Sequence, residues 1–175
     1  MEQASRSGGS SALLSRLKVW RELEIGEFTK EDILQLFVQR GFIVSDLARR
    51  TIADPGFCMT DHRKTLFLYR ATLADLGFSE NAVKIGEVWE AICSSGYALC
   101  PQDTALYLRL KLTIEQEKVR SNRWIATDPI VGRRRVSELF SVGRNKSGSQ
   151  WINSQQATLE NRLTPISEVV FCGAH

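Results

Sequence analysis

Histidine is almost missing from this chain: 175 residues include His62 and His175 and no other. Any nucleophile system that needs an imidazole base therefore falls on His62, with Cys58 four residues upstream and Asp54 or Asp61 to orient the ring. Neighbours along a turn share no fixed geometry, so the expectation is an exposed turn histidine beside a buried thiol. Cysteine is sparse as well. Cys58, Cys93, Cys100 and Cys172 contain no Cys-x-x-Cys pair, and no His-x-x-x-His accompanies them, which removes the usual zinc spacings. No glycine-rich segment joins a strand to a helix, so a phosphate-cradling loop is excluded. No apolar run approaches the roughly 20 residues that cross a bilayer. The first eleven residues are polar and rich in Ser and Gly, without an apolar segment behind a basic start, so no signal or transit peptide is expected. These absences lead to an expected cytoplasmic location with free thiols, no membrane, and no catalytic, cofactor-binding or metal-binding residues.

The composition present is that of a folded protein. Hydrophobic residues make up 43% and charged residues 25%, and the formal charge is only +3. A chain of this length buries on the order of 70% of its unfolded surface, enough for a core without disulfide or metal. Residues 1–11 read as a flexible tail and 12–175 as one α+β domain, with a helical half over about 12–56 and a sheet-containing half over about 57–175.

Local signals place the elements. Leu13, Leu14, Leu17 and Trp20 recur at helical spacing and predict a short helix that Gly26 interrupts. Thr29 and Asp32 have capping-box spacing, Ile33, Leu34, Phe37 and Val38 form a stripe, and Gly41 stops the helix. Ser45 and Asp46 start another helix, which Asp54-Pro55-Gly56 ends. The pair predicts a helical hairpin over a sheet rather than a helix-turn-helix, since Arg49 and Arg50 alone make no recognition face. Residues 65–73 alternate as a strand, and Ile85, Val88, Trp89 and Ile92 define an amphipathic helix closed by Gly96.

In residues 106–114 every second position is aliphatic, from Leu106 through Leu108, Leu110 and Leu112 to Ile114. That period predicts a half-buried strand. Further strands are expected over 123–130, 136–142, 150–152 and 168–172, with a turn at 145–148 and a long loop over 153–167. The expected fold is therefore α+β: N-terminal helices plus one central helix packed on a mostly antiparallel sheet of five or so strands. Its expected core takes in Leu34, Phe37, Leu66, Leu68, Val88, Trp89, Ile92, Leu108, Leu110, Leu112, Trp124, Ile125, Phe140 and Val170.

The order of Ile43-Val44-Ser45-Asp46-Leu47-Ala48, Asp75-Leu76-Gly77-Phe78, Leu99-Cys100-Pro101, Leu108-Arg109-Leu110, Asp128-Pro129-Ile130, Phe140-Ser141-Val142 and Trp151 resembles a family of small bacterial proteins abundant in candidate phyla radiation genomes. The resemblance covers about residues 17–172. The chain departs from that pattern in three places, the first being Asp128 where the family carries Glu before Pro-Ile. Val131-Gly132-Arg133-Arg134-Arg135 replaces an Asp-rich turn, and a Trp-rich C-terminal part is reduced to Trp151. The resemblance implies a coherent fold and a bacterial source, and it assigns no reaction or ligand.

Carboxylate pairs (Glu22 and Glu24, Glu31 and Asp32, Glu87 and Glu90) fall on expected helix surfaces, where solvation explains them. The functional signal that remains is basic. Lys118, Arg120 and Arg123 flank one turn, Arg133, Arg134 and Arg135 fill the next, and Arg144 and Lys146 a third. Arginine forks bind phosphate and tryptophan stacks on bases, so Arg120, Arg123, Arg133, Arg134 and Arg135 are candidate anion or nucleic-acid contacts, with Trp124 or Trp151 beside them. Loops of soluble proteins are commonly charged, however, and successive hairpin turns alternate ends. The primary expectation is thus a non-enzymatic module acting through a protein partner. The alternatives are a nucleic-acid-binding module using these arginines, and an enzyme of unrecognised type.

Overall fold

The computed structural model of the chain describes residues 17–79, 82–131 and 137–174. The expected tail, Leu13, Leu14, Arg133, Arg134, Arg135 and His175 lie outside the described residues. The architecture is α+β, as expected, but the sheet is larger and one expected strand is a helix. In chain order the described elements are β1 (Arg21–Ile25), α1 (Lys30–Gln39), β2 (Ile43–Val44), α2 (Asp46–Ala53), β3 (Lys64–Thr72), β4 (Val83–Lys84), α3 (Ile85–Ser94), β5 (Tyr97–Ala98), α4 (Thr104–Lys111), β6 (Ser121–Ile125), β7 (Ile130–Val131), β8 (Ser137–Arg144), β9 (Gln150–Gln156), β10 (Arg162–Leu163) and β11 (Glu168–Gly173). A 3-10 turn, Ile114–Gln116, follows α4.

Nine strands form one mixed, mostly antiparallel sheet in the order β1-β3-β11-β6-β8-β9-β2, with β5 added beside β11 and β7 beside β8. Among the described residues only β11–β6 and β2–β9 run parallel within it. β10 and β4 make a separate small ladder. Apolar side chains fill both faces. One cluster gathers Leu23, Phe37, Ile52, Leu68, Leu106, Phe140 and Val170 with α1, α2 and α4. The other gathers Leu73, Val88, Trp89, Ile92, Leu139 and Phe171 with α3.

The local signals for α1, α2 and α3 hold because their chemistry is local. The Thr29 and Asp32 side chains each accept from the other's backbone N–H, completing the capping box, and Gly41 follows with φ +68°. The Ser45 side chain accepts from Ala48 N. Gly96, at φ +84°, takes the left-handed position after α3. Trp89, packed on that helix face, donates its indole N–H to Thr127 O at 2.9 Å.

The expected strand over 106–114 is overturned. Every residue from Thr104 to Leu110 is buried, Tyr107 and Arg109 included, in helix α4. The helix touches β1 at one end of the sheet and β8 and β9 near the other, as well as α1. The sheet must therefore curl around it, and β1-α1-β2 carries the chain from one end of the sheet to the other. A helix enclosed on all sides needs no polar face, so it lacks the 3.6-residue signature, and its apolar positions can imitate period two. The Tyr107 hydroxyl accepts from Glu27 N and Phe28 N, both at 2.9 Å.

The expected helix through Leu17 and Trp20 is also corrected: Trp20 N donates to Leu68 O, leading directly into β1. The helical half therefore contributes β1 and β2, the two terminal strands of the sheet. The expected loop over 153–167 is shortened by β9, which runs on to Gln156, and interrupted by β10. Of the expected core, Leu34 and Trp124 are half-buried and the others buried.

Candidate functional site: a cationic cleft beside a buried ion cluster

Parallel strands have their N-terminal ends together. Because β6 and β11 are parallel neighbours, with Arg123 opposite Glu168, the turns that precede them stand side by side at one end of the sheet. In the first turn Ser121 N donates to Lys118 O at 3.2 Å; in the second Ser167 N donates to Thr164 O at 2.9 Å. Between these turns lies a cleft of about 410 Å³.

Its walls are mixed. Val119 (54% exposed) and Ile166 (85% exposed) present apolar side chains to solvent. Lys118 and Arg120 are exposed cations, Trp124 is a half-buried aromatic surface, and Asn122, Thr164 and Ser167 supply polar groups. Arg120 adopts φ +62° as the third residue of its turn. Such a turn ordinarily takes Gly or Asn there, because a Cβ in the left-handed region costs about 1–2 kcal/mol.

Beside the cleft, on the α4 face of the sheet, is a buried ion cluster. Arg109, in α4, donates as a fork to Glu117, Nη1 to Oε1 at 3.0 Å and Nη2 to Oε2 at 2.6 Å. Arg123 Nη1 reaches the same Oε1 at 3.2 Å, and Gln150 Nε2 donates to Oε2. Arg109 further donates to Gly143 O and Leu112 O, and Phe42 lies against its guanidinium. Arg123 Nε stands 2.9 Å from Glu168 Oε2, an ion pair not aligned as a hydrogen bond, and the Trp20 ring covers it. Burial draws the Arg123 guanidinium below its ordinary pKa while Glu168 and Glu117 act against that shift. Arg70 Nη1 lies 3.9 Å from Glu168, so the one carboxylate lining the cleft among the described residues is turned toward buried Arg123 and half-buried Arg70. Glu117 immediately precedes Lys118, so the cluster fixes where the first turn begins. Arg144 adds to this by donating to Ile114 O and Glu117 O.

The structure separates the five candidate arginines. Arg120 is exposed at the cleft. Arg123 is buried among carboxylates, so its expected role as a surface contact is corrected: its charge is already spent on Glu117 and Glu168. Arg133, Arg134 and Arg135 lie outside the described residues. The residues flanking them, Val131 and Ser137, pair at the start of β8, whereas Ser121 pairs with Arg144 at its end. At about 3.3 Å per residue the two ends are roughly 23 Å apart.

The His62 expectation holds in part. His62 is exposed with Nδ1 at 2.5 Å from Asp61 Oδ1, which holds the Asp61 carboxyl below its usual pKa. Cys58, expected buried, is exposed, its Sγ 3.8 Å from Gly56 O. No cluster of three or more His, Cys, Asp or Glu suited to a metal occurs among the described residues, and no described helix is long and apolar enough to cross a membrane.

Sequence reasoning missed Glu117, Glu168 and Ile166. An arginine inside the apolar Leu108-Arg109-Leu110 run was the available signal for Glu117, because a charge buried there requires a carboxylate partner. Compared with known proteins, the chain matches no protein-family model, no curated protein and no solved structure.

Proposed function

We propose that this chain is a binding module that takes an extended acidic segment of a protein partner into the cleft between the 118–121 and 164–167 turns, and that it acts through this contact rather than by catalysis. The observation that carries the reading is the juxtaposition of exposed Val119 and Ile166 with the exposed cations Lys118 and Arg120 over the Trp124 surface. Exposed apolar side chains edged by charge are the composition of an interaction site. The cations favour an acidic occupant because Glu168 is held inward by Arg123 and Arg70. The left-handed Arg120 supports the reading, since backbone strain concentrates at working sites. Bacterial origin and cytoplasmic residence belong to the same proposal and rest on the family resemblance and on the exposed thiols of Cys58 and Cys93.

The test is panning of a random linear peptide library against the protein and against an Arg120→Glu, Ile166→Asp variant. Both positions are exposed, so the variant should fold. Enriched peptides that combine acidic residues with an apolar anchor, and that the variant loses, are the expected result. Equal enrichment by both proteins would refute the cleft. Binding of a single-stranded oligonucleotide by the wild type alone, weakening steeply with salt, would replace this reading with the nucleic-acid one.

A further inference from the structure

Two thiols meet inside the core, away from the cleft. Cys172 of β11 pairs with Ala98 of β5, and Cys100, two residues beyond Ala98, returns to the same face of that ladder. Both residues belong to the core cluster that holds α4. They are 5% and 3% exposed, and their Sγ atoms are 3.1 Å apart. The segment carrying Cys100 is fixed to the sheet as well, since Cys100 N donates to Ala126 O at 2.6 Å. Two sulfurs so placed need only a side-chain adjustment of about 1 Å to reach bonding distance.

We propose that Cys100 and Cys172 are a covalent modification site, forming an intramolecular disulfide by exchange with a small-molecule disulfide of the glutathione type. One protein thiolate attacks the small disulfide, forming a mixed disulfide and expelling one small thiolate. The second protein thiolate attacks the protein sulfur of that intermediate and expels the other. Two protein thiols are oxidised, one small disulfide is reduced to two thiols, and the protons released by the cysteines end on the departing sulfurs. Exchange is slow, because burial and the neighbouring Cys172 push the Cys100 thiol well above its ordinary pKa. Exposed Cys58 and Cys93 react first and form mixed disulfides, which serve as an internal standard.

The cross-link ties the entrance of α4 to β11 across 72 positions of sequence. In the chain-entropy description a loop of that size raises the melting temperature by about 10 °C. The experiment incubates the purified chain with excess oxidised glutathione, blocks remaining thiols after denaturation, and maps disulfides by peptide mass spectrometry beside thermal melts with and without reductant. A linked peptide joining Cys100 and Cys172 and a reductant-sensitive rise in melting temperature are expected. Cys58→Ser and Cys93→Ser should retain both, and Cys100→Ser should lose both. Blocked, unlinked Cys100 and Cys172 after prolonged incubation overturn the proposal, as does their linkage to Cys58 or Cys93 instead. If Cys100→Ser does not fold, the wild-type peptide map alone decides.

Discussion

Replacing Glu117 by Gln should be among the most damaging single-atom-scale changes available to this protein. The carboxylate is 3% exposed and four hydrogen bonds reach its two oxygens, two from Arg109 and one each from Arg123 and Gln150. The amide keeps the shape but removes the charge, and its NH2 group is aimed at donors. Arg123 retains Glu168, whereas the Arg109 guanidinium is left without a carboxylate and keeps only neutral acceptors. Breaking a buried pair from one side costs about 3–5 kcal/mol. Against a total stability of about 5–15 kcal/mol that is a large fraction, and it lowers the melting temperature by roughly 6–20 °C. Urea unfolding followed by tryptophan fluorescence reads the loss as a shift in midpoint at unchanged slope. Two companions make the reasoning testable. Arg109→Met combined with Glu117→Leu removes both charges and fills the space with apolar atoms, so it should recover much of the loss. Glu27→Gln breaks an exposed pair, Arg63 to Glu27 at 2.7 Å, and should cost under about 1 kcal/mol. A Glu117→Gln protein within about 1 kcal/mol of wild type, or a double variant no better than the sum of its parts, would refute the account.

Three further outcomes are expected. Arg120→Gly relieves the left-handed backbone, about 1–2 kcal/mol, against about 0.5–1 kcal/mol of added unfolded-state freedom, so it should leave stability equal or slightly raised while peptide binding falls; a lower melting temperature would count against the turn assignment. Asp103 has its carboxyl raised above the usual range by burial, despite hydrogen bonds from Thr60 N at 2.8 Å and Thr60 Oγ1 at 3.0 Å. Between the unfolded value of about 3.9 and the raised folded value the native state binds more protons, so this group's contribution to stability falls as pH rises through that window. Asp103→Asn should remove that component, and melting temperatures across the acidic range that run parallel to wild type would contradict it. Gly143→Ala places a Cβ 2.1 Å from Ser121 O and 2.4 Å from Trp151 Cζ2, so β6 and β9 must shift at a cost of about 1–3 kcal/mol or more. Amide exchange should quicken across β6 and β8, and unchanged protection there would show that the contact gives way freely.

What could be read from the chain beforehand depended on the range of the interaction. The Thr29–Asp32 box, the Ser45 cap and the glycine after α3 are settled within four residues, and each is as expected. Helix α4 is settled by what surrounds it. Its apolar positions fit period two, while Tyr107 and Arg109 between them looked like a solvent face and are buried, Tyr107 against Glu27 and Phe28 and Arg109 in the ion cluster. β1 was legible and missed: Leu23 and Ile25 point inward while Glu22 and Glu24 are exposed, a short alternation hidden by the helical spacing just before it. At the cleft the cations and Trp124 could be listed from sequence. Their neighbour Ile166 could not, because it is brought there by the parallel pairing of strands more than 40 residues apart in the chain.

That pairing also governs how the molecule comes into being. β11 sits between β3 and β6 and holds them together, although it is the last described strand to be synthesised. Until residues 168–173 have left the ribosome, the described strands lack the one that joins β1-β3 to β6-β8-β9-β2. The nascent chain therefore carries open strand edges on β3 and β6 until β11 emerges, a state that shelter by a chaperone would favour.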